Sequence, residues 1–329
     1  MKHIITLGEV LIDIIPSAQI SLGTACYSPH PGGAIANVAV AIARLGGSSR
    51  FMGGVSEDEF GRLLVRVLAD NQVDTRYIHV VKDAPTAVAL VSLQADGQRH
   101  FTFFRQRTAD TLLQTSDLIW SAWDDATICH VGGVLLSSEP ARSATLAAMD
   151  YTRQVGSIVS FDVNVRPALW ASHTTIRDII AQGVERADIL KVSIDESEFV
   201  SEQQQISPLE RDQLNKLAES LLQKGPRLVI ITIGSHGALL QTASQRVEVR
   251  QSTVRSVDTT GAGDAFIGAI LYKLEHRGCA TPSDLQTLSE HDLIGLGSFG
   301  NQVAGLSVTR YGGIPSFPFM HEINGYSAT

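Results

Sequence analysis

The stretch Val257-Asp258-Thr259-Thr260-Gly261-Ala262-Gly263-Asp264-Ala265-Phe266 runs straight into Ile267-Gly268-Ala269-Ile270-Leu271-Tyr272-Lys273-Leu274, an apolar run with helical spacing. The glycines therefore stand where a helix begins, and where its first N–H groups lack internal partners. Partial positive charge from the helix dipole collects at the same end, and glycine lets an anion approach the backbone without a Cβ in the way. A carboxylate is out of place in a loop that only binds phosphate. Asp264 repels such an anion, a cost that makes sense if it takes a proton from a hydroxyl attacking the phosphorus. The plainer alternative is a first-turn acid that complements the dipole.

Three segments upstream carry chemistry of a matching kind. Asp13 ends the apolar run Gly8-Glu9-Val10-Leu11-Ile12-Asp13 where a strand would leave the core, and a carboxylate there can accept bonds from two neighbouring hydroxyls. In Pro31-Gly32-Gly33-Ala34-Ile35-Ala36-Asn37, Gly32 and Gly33 let the backbone come close to a ligand, and Asn37 falls one turn into the next helix, able to donate and accept. Read alone, the two glycines are a turn that caps a helix. The third segment, Phe161-Asp162-Val163-Asn164-Val165-Arg166-Pro167, follows a strongly apolar strand, so its polar residues fall at the carboxyl edge, where open α/β sheets place ligands. Arg166 offers a planar fork for a hydroxyl or a phosphoryl group, and Asn164 suits a metal-bound water or a phosphate. A solvated turn is the alternative.

A chain of 329 residues with 44% hydrophobic and 18% charged residues can bury a large core, and it has no low-complexity tract. The net charge of −8 argues against nucleic acid as the main partner. Cys26, Cys129 and Cys279 follow no metal or redox spacing and read as reduced thiols. No signal peptide precedes Lys2-His3-Ile4-Ile5 and no apolar run reaches membrane-spanning length, so a soluble, cytoplasmic protein is expected. The chain also has no Gly-x-x-x-x-Gly-Lys-Ser/Thr loop and no protein-kinase signature.

Short β-branched runs alternate with longer helical patterns, which predicts one α/β domain over residues 1–329 with a mostly parallel sheet between layers of helices. Expected strands are 3–7, 50–53, 127–131, 158–162, 189–192 and 228–232. Expected helices are 34–45, 60–71, 141–154, 175–187, 209–223, 265–276 and 293–305. Between Thr86 and Arg105 the rhythm changes to two alternating strands joined by an Asp96-Gly97 turn. With strand-like residues in 11–15 and 24–28, this hairpin could form a small separate sheet; an edge hairpin on the main sheet is the alternative. An apolar face on the hairpin would also suit a homodimer.

Asp258-Thr259-Thr260-Gly261-Ala262-Gly263-Asp264 resembles the C-terminal signature of the ribokinase-like (PfkB) family of carbohydrate kinases, and 31–39 followed by Ala43-Arg44-Leu45-Gly46-Gly47 resembles its N-terminal one. The resemblance covers nearly the whole chain, and it implies a three-layer α/β/α fold with a small β-sheet lid drawn from about 11–30 and 86–105. A lid keeps water from competing as phosphoryl acceptor. The implied reaction is transfer of the ATP γ-phosphoryl group to a primary hydroxyl of a furanose sugar. Asp264 would be the base, with Gly261, Ala262 and Gly263 as the anion hole. Asp13, Gly32, Gly33, Asn37, Phe103, Arg105 and Arg166 would hold the sugar. Asn164, Lys191, Glu196 and Asn301 would serve the nucleotide, together with Thr232, Gly234 and Gly237 of Ile231-Thr232-Ile233-Gly234-Ser235-His236-Gly237. Glu196 would hold Mg²⁺ through water. Asp258 and Thr260 would bind a monovalent cation, K⁺. Ser193 stands where the family usually has Asn, and His236 reads as a solvated turn residue. Within the family the segments 8–13, 162–170 and 99–103 are most similar to bacterial fructokinases, which implies D-fructose as acceptor. Aminoimidazole riboside kinase and 2-keto-3-deoxygluconate kinase remain alternatives, as does a sugar-sensing protein that has lost transfer.

Overall fold

Strands whose every residue is buried, such as His3–Leu7 and Ile158–Asp162, need cover on both faces, and helices supply it. The computed structural model describes residues 2–21, 24–93, 99–201, 206–207 and 210–324. Its main sheet has eight strands in the spatial order Arg246–Val249, Ala238–Gln241, Leu228–Thr232, Ile189–Ser193, Ile158–Asp162, Ala126–Gly132, His3–Leu7 and Ser49–Met52. The last six are parallel neighbours. The first two form an antiparallel hairpin on one edge, which the sequence pattern did not anticipate.

The period of two sorts each strand's side chains into two cores. Ile5, Leu7, Cys129, Val131, Val159, Phe161, Leu190 and Val192 face one way, against the helices Ala141–Gln154, His173–Arg186 and Arg211–Leu222. Ile4, Ile128, Ile158, Ile189, Leu228 and Ile230 face the other way, against Ala34–Arg44, Ala262–Arg277 and Glu290–Ser307. The three-layer α/β/α arrangement follows. Among the described residues, no helix is long and apolar enough to cross a membrane.

Helix ends differ from the expected ones where caps decide. The helix expected from residue 265 starts at Ala262, because Gly261 takes a left-handed conformation as its N-cap (φ 76°), and this places Asp264 in the first turn. The helix expected over 293–305 extends over Glu290–Ser307, where Ser289 and Asp292 cap each other reciprocally. Ser172 accepts from the Thr175 amide and starts another helix two residues early.

The small sheet is separate from the main one, in the order Thr24–Gly32, Leu11–Ser21, Val88–Leu93 and Arg99–Phe104. That excludes the edge-hairpin alternative; the Asp96-Gly97 turn lies outside the described residues. Asp13 pairs with Ala89 and Ala89 with Phe103, so the three share one face. Leu11, Ala87 and Ala89 pack there with Phe101 and Phe103.

Two helices of one layer meet at a single close point. A Cβ on Gly268 would stand 2.8 Å from the Ala41 Cβ, so the helices Ala34–Arg44 and Ala262–Arg277 touch almost backbone to backbone. Gly268→Val should therefore cost about 1–3 kcal/mol of stability through overpacking. Thermal unfolding checks this: a melting temperature equal to the wild type's would show that the helices are not so close.

Candidate active site

The carboxyl ends of the parallel strands open on one edge, and four of the six bring polar residues there: Glu9 after His3–Leu7, Asp162 and Asn164 at the end of Ile158–Asp162, Ser193 and Thr232 at two more. Above that edge stands the first turn of Ala262–Arg277. Asp264 is buried there, and one carboxylate oxygen accepts from Asn37 Nδ2 at 2.8 Å. Burial raises the Asp264 pKa; the Asn37 hydrogen bond and the positive charges of Lys191 and Arg166 oppose the rise.

The loop before Asp264 is held from within. Asp258 accepts from the Thr260 amide at 2.9 Å and from the Gly312 amide at 2.8 Å, tying the loop to the C-terminal segment. The Ala262 amide donates to the Thr259 carbonyl at 3.2 Å. That corrects the expected anion hole: the Ala262 amide is engaged by the loop, and the first-turn amides left open are those of Gly263 and Asp264. Gly263 is hemmed in from below, since a Cβ there would come within 3.3 Å of Lys191 Nζ.

Two cavities meet at this loop. The first, about 760 Å³, is lined by Asp13, Gly33, Asn37, Phe103, Arg105, Asn164, Arg166 and Asp264 among others, which brings together all the expected sugar residues except Gly32. Gly32 lies behind them, where any side chain would collide with the Asp13 carboxylate. Gly33 has φ 105° and sits against the Glu9 carbonyl, as only glycine can. Four buried polar atoms on residues lining this cavity have no partner: Glu9 Oε2, Asn37 Oδ1, Arg105 Nη2 and Asn164 Oδ1. Such groups are costly unless something satisfies them. A ligand rich in hydroxyls would.

The second cavity, about 460 Å³, is lined by Lys191, Ser193, Thr232, Gly234, Gly237, Gly263 and Asn301, with Phe266, Val254, Ala304 and Val308 as an apolar wall. Asp195, Ser256 and Thr259 line both cavities, so the two join beside the glycine loop. Asn301 donates to the Val249 carbonyl at 3.3 Å and fixes its helix to the edge strand. His236 is exposed, as its turn position implied.

Three expected roles change. Arg105 is not a free arm: its Nε pairs with Asp110 at 2.6 Å and Nη1 donates to Ser137 Oγ at 3.0 Å, which leaves only Nη2 for a ligand. Lys191 is not a free arm either, since its Nζ lies 3.0 Å from both Asp162 oxygens. Burial disfavours its charge, yet Asp162 and Glu196 outweigh that and raise its pKa, so it is a fixed positive charge under the loop. Glu196 lines neither cavity. Its two oxygens accept from the amides of Val165 and Ser193, at 2.8 and 2.9 Å, and stitch two strand ends together.

Sequence reasoning missed Glu9, Asp162 and Asp195 as site residues. Glu9 and Asp162 carried a signal, a charge at or just past the end of a mainly apolar strand, whereas nothing local separates Asp195 from Glu196. Among the described residues, no three His, Cys, Asp or Glu cluster as a metal site.

Comparison with known proteins agrees with this geometry. The chain is 38% identical over 322 residues to fructokinase-1 of Zea mays, covering 97% of this chain and 96% of the relative. Its structure superposes with TM-score 0.84 on a fructokinase from Vibrio cholerae O395 in a form with fructose, ADP and calcium bound, at 32% identity and with 99% of each chain covered. The aminoimidazole riboside kinase of Salmonella enterica, complexed with aminoimidazole riboside and an ATP analog, gives TM-score 0.80 at 31% identity, covering 98% of this chain and 99% of that one. The profile of the pfkB family carbohydrate kinases matches residues 1–320, and the chain belongs to that family.

Proposed function

We propose that this carbohydrate kinase moves the γ-phosphoryl group of ATP to a primary hydroxyl of D-fructose, giving fructose 6-phosphate. One observation carries the reading: Asp264, held by Asn37, lines the cavity with unpartnered polar atoms, and its neighbour Gly263 lines the adjoining cavity with an apolar wall. The sugar occupies the first, under Asp13, Asn37, Phe103 and Arg166. The nucleotide occupies the second, with its base against Phe266, Val254 and Ala304 and its phosphates reaching the glycine loop.

Asp264 accepts the proton of the attacking hydroxyl. The Gly263 and Asp264 amides and the fixed Lys191 charge face the oxygens on which negative charge builds up, so the field is in place before reaction. The small sheet acts as the lid, with Phe101 and Phe103 excluding water from the sugar. Mg²⁺ supplies charge neutralisation on the polyphosphate. It favours oxygen ligands and keeps several waters, which fits Asn164 Oδ1 and the exposed Asp195 carboxylate better than Glu196. Asp258 and Thr260 keep the expected K⁺ role, in which the ion stiffens the loop that Asp258 already braces. Buried Cys129 and Cys279 thiols suit a reducing compartment, and we place the enzyme in the cytoplasm.

The Asp264→Asn variant should keep its affinity for sugar and ATP and lose turnover about 10²- to 10⁴-fold; near-normal turnover would remove Asp264 from the reaction. The base must be ionised, and burial raises its pKa above the ordinary value of 3.8, so kcat/KM falls as pH drops through that raised pKa. A pH profile tests this: an acid limb at or below the ordinary value contradicts the buried position. An ATP-consumption screen over fructose, ribose, 2-keto-3-deoxygluconate and aminoimidazole riboside should give its highest kcat/KM with fructose. Preference for aminoimidazole riboside would favour the second reading.

A further inference from the structure

Glu9 lies at the base of the sugar cavity, 1% exposed, and only one of its oxygens is used: Oε1 accepts from the Ala34 amide at 2.7 Å, while Oε2 has no partner. Arg105, 7% exposed and lining the same cavity, is the mirror case. Its Nε is taken by Asp110, its Nη1 by Ser137 and, at 3.3 Å, the Val134 carbonyl, and its Nη2 is left without an acceptor. The two side chains do not pair with each other, although the Arg105 charge acts on Glu9. Burial pushes the Glu9 carboxyl up to about 7, against that charge and the amides of Glu9 and Ala34.

A buried acceptor and a buried donor left open in one cavity define what can satisfy both. The occupant must donate to Oε2 and accept from Nη2. A carbonyl or carboxylate cannot donate, and an ammonium cannot accept; a hydroxyl does both. With Glu9 ionised, each end of that contact is charge-assisted, so the pair holds a hydroxyl more firmly than neutral groups would. Asp264 engages the hydroxyl that is phosphorylated, so the clamped one is elsewhere on the sugar.

We propose that Glu9 is a specificity-determining residue, which with Arg105 clamps a non-reacting hydroxyl of the sugar between Oε2 and Nη2. This rests on the first cavity being the sugar site. It also gives Glu9 a reason to be a carboxylate: a glutamine keeps an acceptor for the Ala34 amide but puts an NH₂ donor where the hydroxyl would donate.

The test is calorimetric titration of D-fructose and its 1-, 3- and 4-deoxy analogues into wild type and Glu9→Gln, with a non-hydrolysable ATP analogue present. The amide can keep the Ala34 bond while its NH₂ turns a donor toward Arg105. Fructose should bind about 10- to 100-fold more weakly to Glu9→Gln, with nucleotide affinity unchanged. One deoxy analogue should lose a similar factor in wild type and little more in the variant, because the two changes delete the same contact. Unchanged fructose binding in the variant, or the same loss for every analogue in both proteins, would overturn the clamp and leave an internal water as the occupant. Should Glu9→Gln fail to fold, Glu9→Asp, which keeps the charge but withdraws it by one methylene, runs the same cycle with the same two outcomes. A wild type that phosphorylates none of the sugars sinks the sugar-site reading itself; a wild type that phosphorylates fructose without this coupling sinks only the clamp.

Discussion

A hydrogen bond between residues 227 positions apart, Asn37 to Asp264 at 2.8 Å, holds the two halves of the site in register. It exists because two helices approach unusually closely one turn further along, where Gly268 meets Ala41. Stepping back four residues on each helix leads from Gly268 to Asp264 and from Ala41 to Asn37, on the same faces. The packing of one glycine thus sets the distance between the Asn37 amide and the Asp264 carboxylate. Asn37 Nδ2 is spent on that bond, and Oδ1 remains open to the cavity.

The surroundings of Asp264 are balanced rather than simply positive. Burial raises its pKa and makes it a better base, while Lys191 and Arg166 keep it from being neutralised. Lys191 can do this because Asp162 fixes its ammonium 3.0 Å away, inside the sheet edge. A free lysine would instead follow the phosphates. Buried ion pairs of this kind add little to stability, so a positional role accounts for them better.

Much of the fold was legible because buried parallel strands are nearly all apolar, and Ile158–Asp162 and Leu228–Thr232 fall where the pattern placed them. The edge hairpin Ala238–Gln241 and Arg246–Val249 was not legible: each strand has four residues, too few for alternation to show. Helix starts were misjudged at Ala262 and Glu290, where capping, not hydrophobic period, sets the boundary. The motifs pointed to the right region, and sixteen of the eighteen residues expected at the sugar, loop and nucleotide positions line one of the two cavities, all but Gly32 and Glu196; what the motifs hid was which atoms remain free. Arg105, Lys191 and Glu196 look alike in a sequence as reaching charges. Their partners Asp110, Asp162 and the amides of Val165 and Ser193 come from other elements, and only the folded chain reveals them.

The central claim is a distance. A crystal structure with D-fructose and a non-hydrolysable ATP analogue should place a primary hydroxyl oxygen of the sugar within about 2.6–3.2 Å of an Asp264 carboxylate oxygen, with the γ-phosphorus in line behind it. A sugar bound with both primary hydroxyls away from Asp264, while Asn37 still holds that carboxylate, would contradict the account.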